Sequence, residues 1–198
     1  MEAVNLTKKS STLAEKQWEM TRGLILSTSV ELLEKCSVNE LTVRAVADEA
    51  GISERTIFRY FSTREVFLDA VASTLFKSLG TPPPPRTLKD LLRAPDVLYR
   101  TFEAKSTLVK IALHPDFYHR IRLSGGQQRW DAIQVLINEI APQAPQRRRK
   151  LIAGHIRYLL SATSWHYFRF YFGFTIEEAI ECAEISLSQG ISALTLKK

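Results

Sequence analysis

Arginine and hydroxyl side chains recur within a short stretch of this chain, between positions 42 and 64. The polar residues there that can contact another molecule are Thr42, Arg44, Ser53, Glu54, Arg55, Thr56, Arg59, Tyr60 and Arg64. A guanidinium group donates paired hydrogen bonds to guanine or to phosphate oxygens, and hydroxyl groups donate single ones. Such a set can bind a nucleic acid if the local structure places the side chains on one surface.

The same stretch is patterned as two short helices joined by a tight turn. Thr42 can cap a run whose apolar residues stand at 43, 46, 47 and 50, the spacing of one helix face. Gly51 suits the left-handed conformation that ends a helix, and Ser53 can cap a second helix over 54–61. The residues of the second helix that are expected to point inward are Ile57, Tyr60 and Phe61.

This pattern predicts a helix-turn-helix, in which the first helix braces the second and the second offers its N-terminal residues to base edges. The residues expected to face base edges are Ser53, Arg55, Thr56 and Arg59, with Glu54 in the same exposed set. Those expected to hold phosphates are Thr42, Arg44, Tyr60 and Arg64. An ordinary helical hairpin without a role in DNA binding is the alternative.

The stretch from about Trp18 to about Ser73 resembles the N-terminal domain of the tetracycline-repressor (TetR) family. The matching residues are Arg22, Leu24-Ile25, Leu32-Leu33, Thr42-Val43-Arg44, Val46-Ala47, Ala50-Gly51-Ile52-Ser53, Thr56-Ile57-Phe58, Tyr60-Phe61 and Arg64-Glu65. The resemblance implies a DNA-binding domain followed by a helical domain that binds an inducer and pairs with a second subunit.

Four positions depart from the usual pattern of that family. Ser37 and Val38 stand where a glycine and an aromatic residue usually end the first helix. Phe58 replaces a tyrosine and so lacks a hydroxyl that can reach a phosphate. Arg64 replaces a lysine and keeps the positive charge at the start of the fourth helix.

The length of 198 residues, of which 45% are apolar, is enough for one small and one medium domain. The net charge is +6, but residues 1–80 carry −1 and residues 81–198 carry +7, so bulk charge does not itself indicate DNA binding. We expect a cytoplasmic protein outside the membrane, because the chain has neither a long apolar run nor an apolar secretory leader. Cys36 and Cys182 are expected to be free thiols.

Helical spacing persists along the chain, so we predict an all-α fold. The predicted N-terminal domain, residues 1–79, has helices at about 13–36, 43–50, 54–61 and 64–79. Residues 80–86, with four consecutive prolines, are predicted to join it to a C-terminal domain of residues 87–198. The helices expected in this second domain are 87–93, 96–113, 127–140, 146–172 and 176–195, with a broken region at 115–126.

The aromatic residues of 158–174 cover more than one helix face, so this helix must be buried on more than one side. One side can face the domain's own core and another a ligand pocket or a second subunit; the core of a large domain is the alternative. A homodimer formed through the last two helices would let two recognition helices bind an inverted-repeat operator in double-stranded DNA.

The inducer predicted for this domain is a small apolar or aromatic molecule. The candidate ligand-binding residues are His114, Arg157, Tyr158, Trp165, His166 and Phe168. Each histidine could equally be structural, and no cluster has the spacing of a metal site, so neither a metal nor a cofactor is expected. The cationic run 147–150 is either a solvated face or a contact for an anion.

The residues together predict a transcriptional regulator, a homodimeric repressor that leaves its operator when a small molecule binds. A protein–protein adaptor that no longer reads DNA is the alternative, favoured only by the near-neutral N-terminal domain. An enzyme is not expected, because no nucleophile–base ordering, phosphate-binding glycine loop or carboxylate pair is found.

Overall fold

The computed structural model describes residues 12–194, and every regular element within them is helical. The helices are α1 Leu13–Lys35, α2 Val43–Ala50, α3 Glu54–Tyr60, α4 Arg64–Ser78, α5 Leu88–Ala104, α6 Ser106–Ala112, α7 Pro115–Ile121, α8 Gln127–Ile140, α9 Gln146–Leu159, α10 Ala162–His166 and α11 Ile176–Ser192. A 3₁₀ turn covers Val38–Glu40, and π-helical turns cover Arg122–Gly126 and Tyr167–Tyr171. The prediction of an all-α fold is confirmed.

The chain divides into two compact units between Phe67 and Leu68, inside α4. The sequence placed the joint later, at 80–86, and the role of that segment as a joint stays a prediction. Its prolines are non-helical, as expected, and α5 begins after them with reciprocal hydrogen bonds between Thr87 and Asp90. Each unit is compact in itself, and α4 contributes residues to both.

The first helix of the N-terminal unit begins with a reciprocal capping pair. The Thr12 hydroxyl accepts a hydrogen bond from the Glu15 backbone N–H at 3.2 Å, and the Glu15 carboxylate accepts one from the Thr12 N–H at 2.7 Å. The largely or fully buried side chains of this unit include Ile25, Leu33, Val46, Ala47, Ile57, Phe61 and Phe67. They come from all four helices, so the core itself fixes the position of α3.

Side-chain hydrogen bonds form the turn after α1, where the TetR family usually has a glycine and this chain has Ser37. The helix stops at Lys35, and Cys36 is extended, with φ −132°. The Glu40 carboxylate then accepts hydrogen bonds from the Ser37 N–H at 2.7 Å and the Ser37 hydroxyl at 2.8 Å. These side-chain bonds specify the turn, so a left-handed residue is not required there.

No membrane-spanning helix and no disulfide occurs among residues 12–194. None of their helices is both long and apolar enough to cross a bilayer. Cys36 and Cys182 are free and half-buried, as expected. Burial, with a smaller contribution from Glu40, raises the pKa of the Cys36 thiol and so lowers the fraction of reactive thiolate.

The prediction of a helix break near Pro95 is wrong, since α5 runs through this residue. A proline inside a helix removes one backbone hydrogen bond and costs about 3 kcal/mol. One face of α5 buries Leu91, Leu98, Tyr99 and Phe102, and this burial offsets the cost. The helix instead ends at Ala104, and the ammonium of the next residue, Lys105, donates to the Ser78 carbonyl at 2.6 Å.

The predicted broken region at 115–126 is also mostly helical. His114 caps α7, and Pro115 occupies its first turn, where a proline needs no hydrogen-bond partner. The chain continues through the π-helical turn into α8, with Gly126 in the right-handed helical region. A β-carbon on Gly125 would lie 2.5 Å from the Phe76 ring, so the glycine is required for this close approach.

The predicted single helix over 146–172 is divided at Leu160. The Leu159 carbonyl accepts hydrogen bonds from the Tyr99 hydroxyl at 2.9 Å and the Ser164 hydroxyl at 2.7 Å. The Ser161 hydroxyl then caps α10 by accepting from the Ser164 N–H. These side chains satisfy backbone groups that a continuous helix would have paired internally, which favours the break.

Candidate nucleic-acid interface and ligand cavity

The turn between α2 and α3 has the geometry that its sequence predicted. Gly51 is left-handed, with φ 66° and ψ 32°, and its N–H donates to the last turn of α2. The Ile52 N–H donates to the Ala47 carbonyl at 3.0 Å, which closes the turn. The two helices are thus joined by a turn of fixed shape rather than by a loose loop.

α3 has a buried face and an exposed face. Ile57 within it and Phe61 directly after it are buried, whereas Glu54, Arg55 and Arg59 are exposed. The Ser53 hydroxyl accepts from the Thr56 N–H at 3.1 Å and lies 2.9 Å from the Thr56 hydroxyl. Capping therefore holds both hydroxyl groups at the N-terminal end of the helix, beside the exposed arginines.

Tyr60 is half-buried and lies on the surface of α1 rather than in the core. Its ring stacks on Trp18, with 3.9 Å between ring centroids and 29° between the planes. The Arg59 guanidinium lies 5.4 Å from the same ring. Trp18 therefore positions the end of α3. This role was not predicted, because Trp18 and Tyr60 are far apart in the sequence.

Three of the four residues proposed for phosphate contact lie at helix starts, and Tyr60 lies at the end of α3. Thr42 caps α2 by accepting from the Ala45 N–H at 3.0 Å, which leaves its hydroxyl proton available. Arg44 is exposed and forms a long ion pair with Asp48 at 3.9 Å, a weak interaction between solvated groups. Arg64 is the exposed first residue of α4. Phe58 is also exposed, on the surface of α3.

A cavity of about 90 Å³ opens in the C-terminal unit. Apolar side chains from several helices form most of its wall, and three arginines complete it. The lining residues are Phe76, Leu79, Thr81, Leu98, Phe102, Ala112, Leu113, Tyr118, Ile121, Arg122, Arg129, Arg157, Leu160, Ser161, Ala162 and Thr163. The lining residues come from α5 to α10, from the segments that join these helices, and from the last turn of α4 and the residues after it.

Of the six residues predicted to bind a ligand, Arg157 alone lines this cavity. His114 caps α7, and Tyr158 is exposed. Trp165 is fully buried. His166 and Phe168 lie against other aromatic rings, and burial lowers the pKa of His166, with a smaller effect from Lys110. A ligand-binding role for these five residues stays a prediction.

Trp165 belongs to a polar cluster with Glu103 and Arg169. The Glu103 carboxylate accepts from Arg169 Nε at 2.9 Å, from Arg169 Nη2 at 2.7 Å and from Trp165 Nε1 at 3.1 Å. The hydrogen bonds from Arg169, assisted by that of Trp165, hold the pKa of Glu103 below its usual value. The cluster ties the aromatic segment after α10 to α5.

Arg122 and Arg129 were not predicted to bind a ligand. Arg122 and Arg129 are 7 residues apart, and Arg157 follows them by 35 and 28 residues, so no local motif links the three. The only feature of the sequence that pointed toward these arginines was the net charge of +7 in residues 81–198.

Within the cationic run 147–150, the Arg149 guanidinium donates to the Pro142 carbonyl at 2.7 Å, a contact that fixes the start of α9.

Residues 25–71 match the family model described as bacterial regulatory proteins, tetR family. No curated protein sequence matches the chain. The fold is similar to that of a TetR-family transcriptional regulator from Streptomyces coelicolor, with a TM-score of 0.59 and 16% identity over 87% of this chain and 81% of that one.

Two further solved structures share the fold. One is a TetR variant from Acinetobacter baumannii AYE in complex with minocycline, with a TM-score of 0.54 and 13% identity over 87% of this chain and 94% of that one. The other is the multidrug binding protein EbrR complexed with imidazole, with a TM-score of 0.53 and 14% identity over 85% and 93%. The helix-turn-helix lies within the segment that matches the tetR-family model, and the all-α fold of residues 12–194 is similar to the folds of TetR-family regulators of known structure.

Proposed function

We propose that this chain is a cytoplasmic, homodimeric repressor that binds an inverted-repeat operator and leaves it when a small molecule binds. The observation that carries the proposal is the division of α3 into two faces. Ile57 anchors the helix in the core, while Arg55 and Arg59 remain exposed on a rigid support. A rigidly held helix with free guanidinium groups is suited to reading the major groove.

Two kinds of contact are proposed for this surface. Arg55, Arg59, Ser53 and Thr56 would face base edges, and the exposed Phe58 ring would contact a thymine methyl group. Phosphates would be held by the residues at the edges of the motif, which are Thr42, Arg44, Tyr60 and Arg64. Glu54 lies in the same exposed set, where a carboxylate can accept from a cytosine amino group.

Exposed aromatic residues near the C-terminus support a homodimer. Tyr167, Tyr171 and Phe172 are exposed, and their rings contact one another. On α9 and α11, Leu151, Tyr158 and Ile185 are also exposed. Large apolar side chains at the surface of a single subunit favour burial against a partner, and aromatic residues are enriched at such interfaces.

Continuity of α4 supports a route from ligand to DNA. Phe76, in its last turn, lines the cavity, whereas Arg64, its first residue, is a proposed phosphate contact. A ligand that displaces Phe76 therefore acts on the helix that carries Arg64. Two proteins of the same fold hold small molecules, minocycline in one and imidazole in the other, which agrees with a ligand-responsive role.

The first experiment is selection of duplexes from a random library by the purified protein at near-physiological salt. An enriched inverted repeat would establish sequence-specific binding as a dimer, and its half-sites should lie about 34–36 Å or a multiple apart. Without enrichment by a folded, dimeric protein, the adaptor alternative would replace the repressor proposal.

Two arginine variants then separate base contacts from phosphate contacts. Arg55→Ala should relax the selected sequence and lower affinity for the best site by about 1–3 kcal/mol. Arg64→Ala should weaken all sequences about equally, and the exposed Arg86→Ala should change neither. If Arg55→Ala keeps the full sequence preference, the proposed docking of α3 is wrong.

A further inference from the structure

The arginines of the cavity have only neutral hydrogen-bond partners among the described residues. Arg129 Nη2 donates to the Thr81 hydroxyl at 2.8 Å and to the Pro82 carbonyl at 2.7 Å. Arg157 Nη1 donates to the Leu160 carbonyl at 3.3 Å, and Arg122 Nη1 to the Tyr118 hydroxyl at 3.2 Å. No carboxylate is found among the side chains that line the cavity.

The charges of Arg129 and Arg157 are partly removed from water, whereas Arg122 is exposed, and neighbouring arginines are close enough to repel one another. Burial is the main cause that lowers the pKa of Arg129 and of Arg157, and each pKa is lowered further by a neighbouring arginine, Arg157 and Arg122 respectively. Guanidinium groups keep their protons even so. The unliganded protein therefore holds a concentration of unneutralised positive charge, which an anion would relieve.

The rest of the wall specifies what the anion is attached to. Phe76, Leu98, Phe102 and Leu160 line the cavity beside the arginines, and they favour an apolar group. A cavity of about 90 Å³ is smaller than the roughly 150 Å³ that holds benzene, so a ring-sized ligand must displace a side chain. The Phe76 ring belongs to α4, so a ligand that displaces it would act on the helix that the proposed release from DNA invokes.

We infer that the cavity binds a small organic acid, with its apolar body among these side chains and its carboxylate between Arg122, Arg129 and Arg157. A carboxylate matches the planar fork of a guanidinium group and can accept two parallel hydrogen bonds. The inference deepens the proposed function, because it rests on this cavity being the effector site and assigns the chemical class of the effector. It replaces a purely apolar inducer with an apolar acid.

The test measures binding of benzoate and hexanoate to the full-length protein by calorimetry and by thermal shift, with benzamide and hexanamide as neutral controls. We expect each acid to bind at least tenfold more tightly than its amide. Equal affinity for acid and amide, or binding of the amides alone, would overturn the inference. Tighter binding of phenyl phosphate than of benzoate would overturn the choice of carboxylate.

Arginine variants locate the binding site. Arg129→Gln and Arg157→Gln should each weaken benzoate binding at least tenfold, whereas Arg147→Gln, an exposed arginine on the same helix as Arg157, should leave it unchanged. Removing one of several repelling charges should leave the melting temperature of the unliganded protein unchanged or raised. If the variants lose stability together with affinity, the arginines are structural and the inference fails.

Release of DNA is measured separately, with the selected duplex. If benzoate binds through the arginines but leaves DNA affinity unchanged, the assignment of the ligand class stands and the inducer role of the cavity fails. If neutral apolar compounds bind there and release DNA while acids do neither, the repressor proposal stands and the ligand class is wrong.

Discussion

Replacing Glu103 with glutamine should destabilise the protein by about 1.5–3 kcal/mol, the range for hydrogen bonds to charged groups. The carboxylate accepts two hydrogen bonds from Arg169 and one from the fully buried Trp165. An amide of the same shape offers one acceptor oxygen and turns an N–H group toward the other donors. For a chain of this size, the loss corresponds to a melting temperature lower by roughly 3–12 °C.

The matched control is Asp96→Asn on the same helix. Arg100 Nε donates to Asp96 at 2.7 Å, as short a contact as those of Glu103, but both side chains are about half exposed. An ion pair between two solvated side chains contributes little to stability, so this variant should lose much less than Glu103→Gln. Urea unfolding followed by circular dichroism measures both variants. Equal losses would refute the reasoning that burial sets the cost.

The pH dependence of Glu103→Gln provides a second measurement. Because the folded state lowers the pKa of Glu103, its contribution is fully present above the unfolded value of about 4.3 and is lost as the pH falls through the folded pKa. The difference in unfolding free energy between the wild type and the variant should be constant at neutral pH and shrink below about pH 4.5. A difference that stays constant in acid would refute the charge-based explanation.

Gly51→Ala should lower the free energy of unfolding in urea by about 1–2 kcal/mol, because alanine is strained at a φ of 66°. The space around the added carbon is open, so no steric clash adds to this strain. Full stability of the variant would contradict the left-handed turn. Gly125→Ala should push the Phe76 ring into the cavity, and so weaken benzoate binding in calorimetry more than it lowers stability. For specific DNA binding, two arginine–phosphate contacts per subunit predict a slope of about −3.6 in log affinity against log salt for a dimer. A slope twice as steep would mean that unassigned residues also contact phosphates.

The helix-turn-helix could be predicted because its determinants lie close together in sequence. Each cap bonds within three residues, at Thr42 and Ser53, and Gly51 needs only its own backbone to end α2. The apolar spacing that places Ile57 and Phe61 inward is likewise local. Tyr60 shows the limit of such reasoning, since its stacking on Trp18 depends on a partner 42 residues away.

The helix breaks of the second unit could not be predicted, because contacts distant in sequence decide them. Pro95 is accepted inside α5 because one face of the helix is buried, and the division at Leu160 depends on the Tyr99 hydroxyl, which bonds a carbonyl 60 residues further on. Local propensity favours the opposite outcome at both positions. Packing prevails because buried area and satisfied carbonyl groups outweigh the preference of a few residues.

The sequence by itself determined an all-α chain, the helix-turn-helix and the exposed arginines of α3, because periodicity and capping act over single turns. Only the tertiary structure decided where Arg122, Arg129 and Arg157 meet. Their shared cavity exists because α7, α8 and α9 converge with the end of α4 around a space that no single helix encloses. A charge excess can be counted from sequence, but its desolvation and the absence of a carboxylate beside it depend on packing.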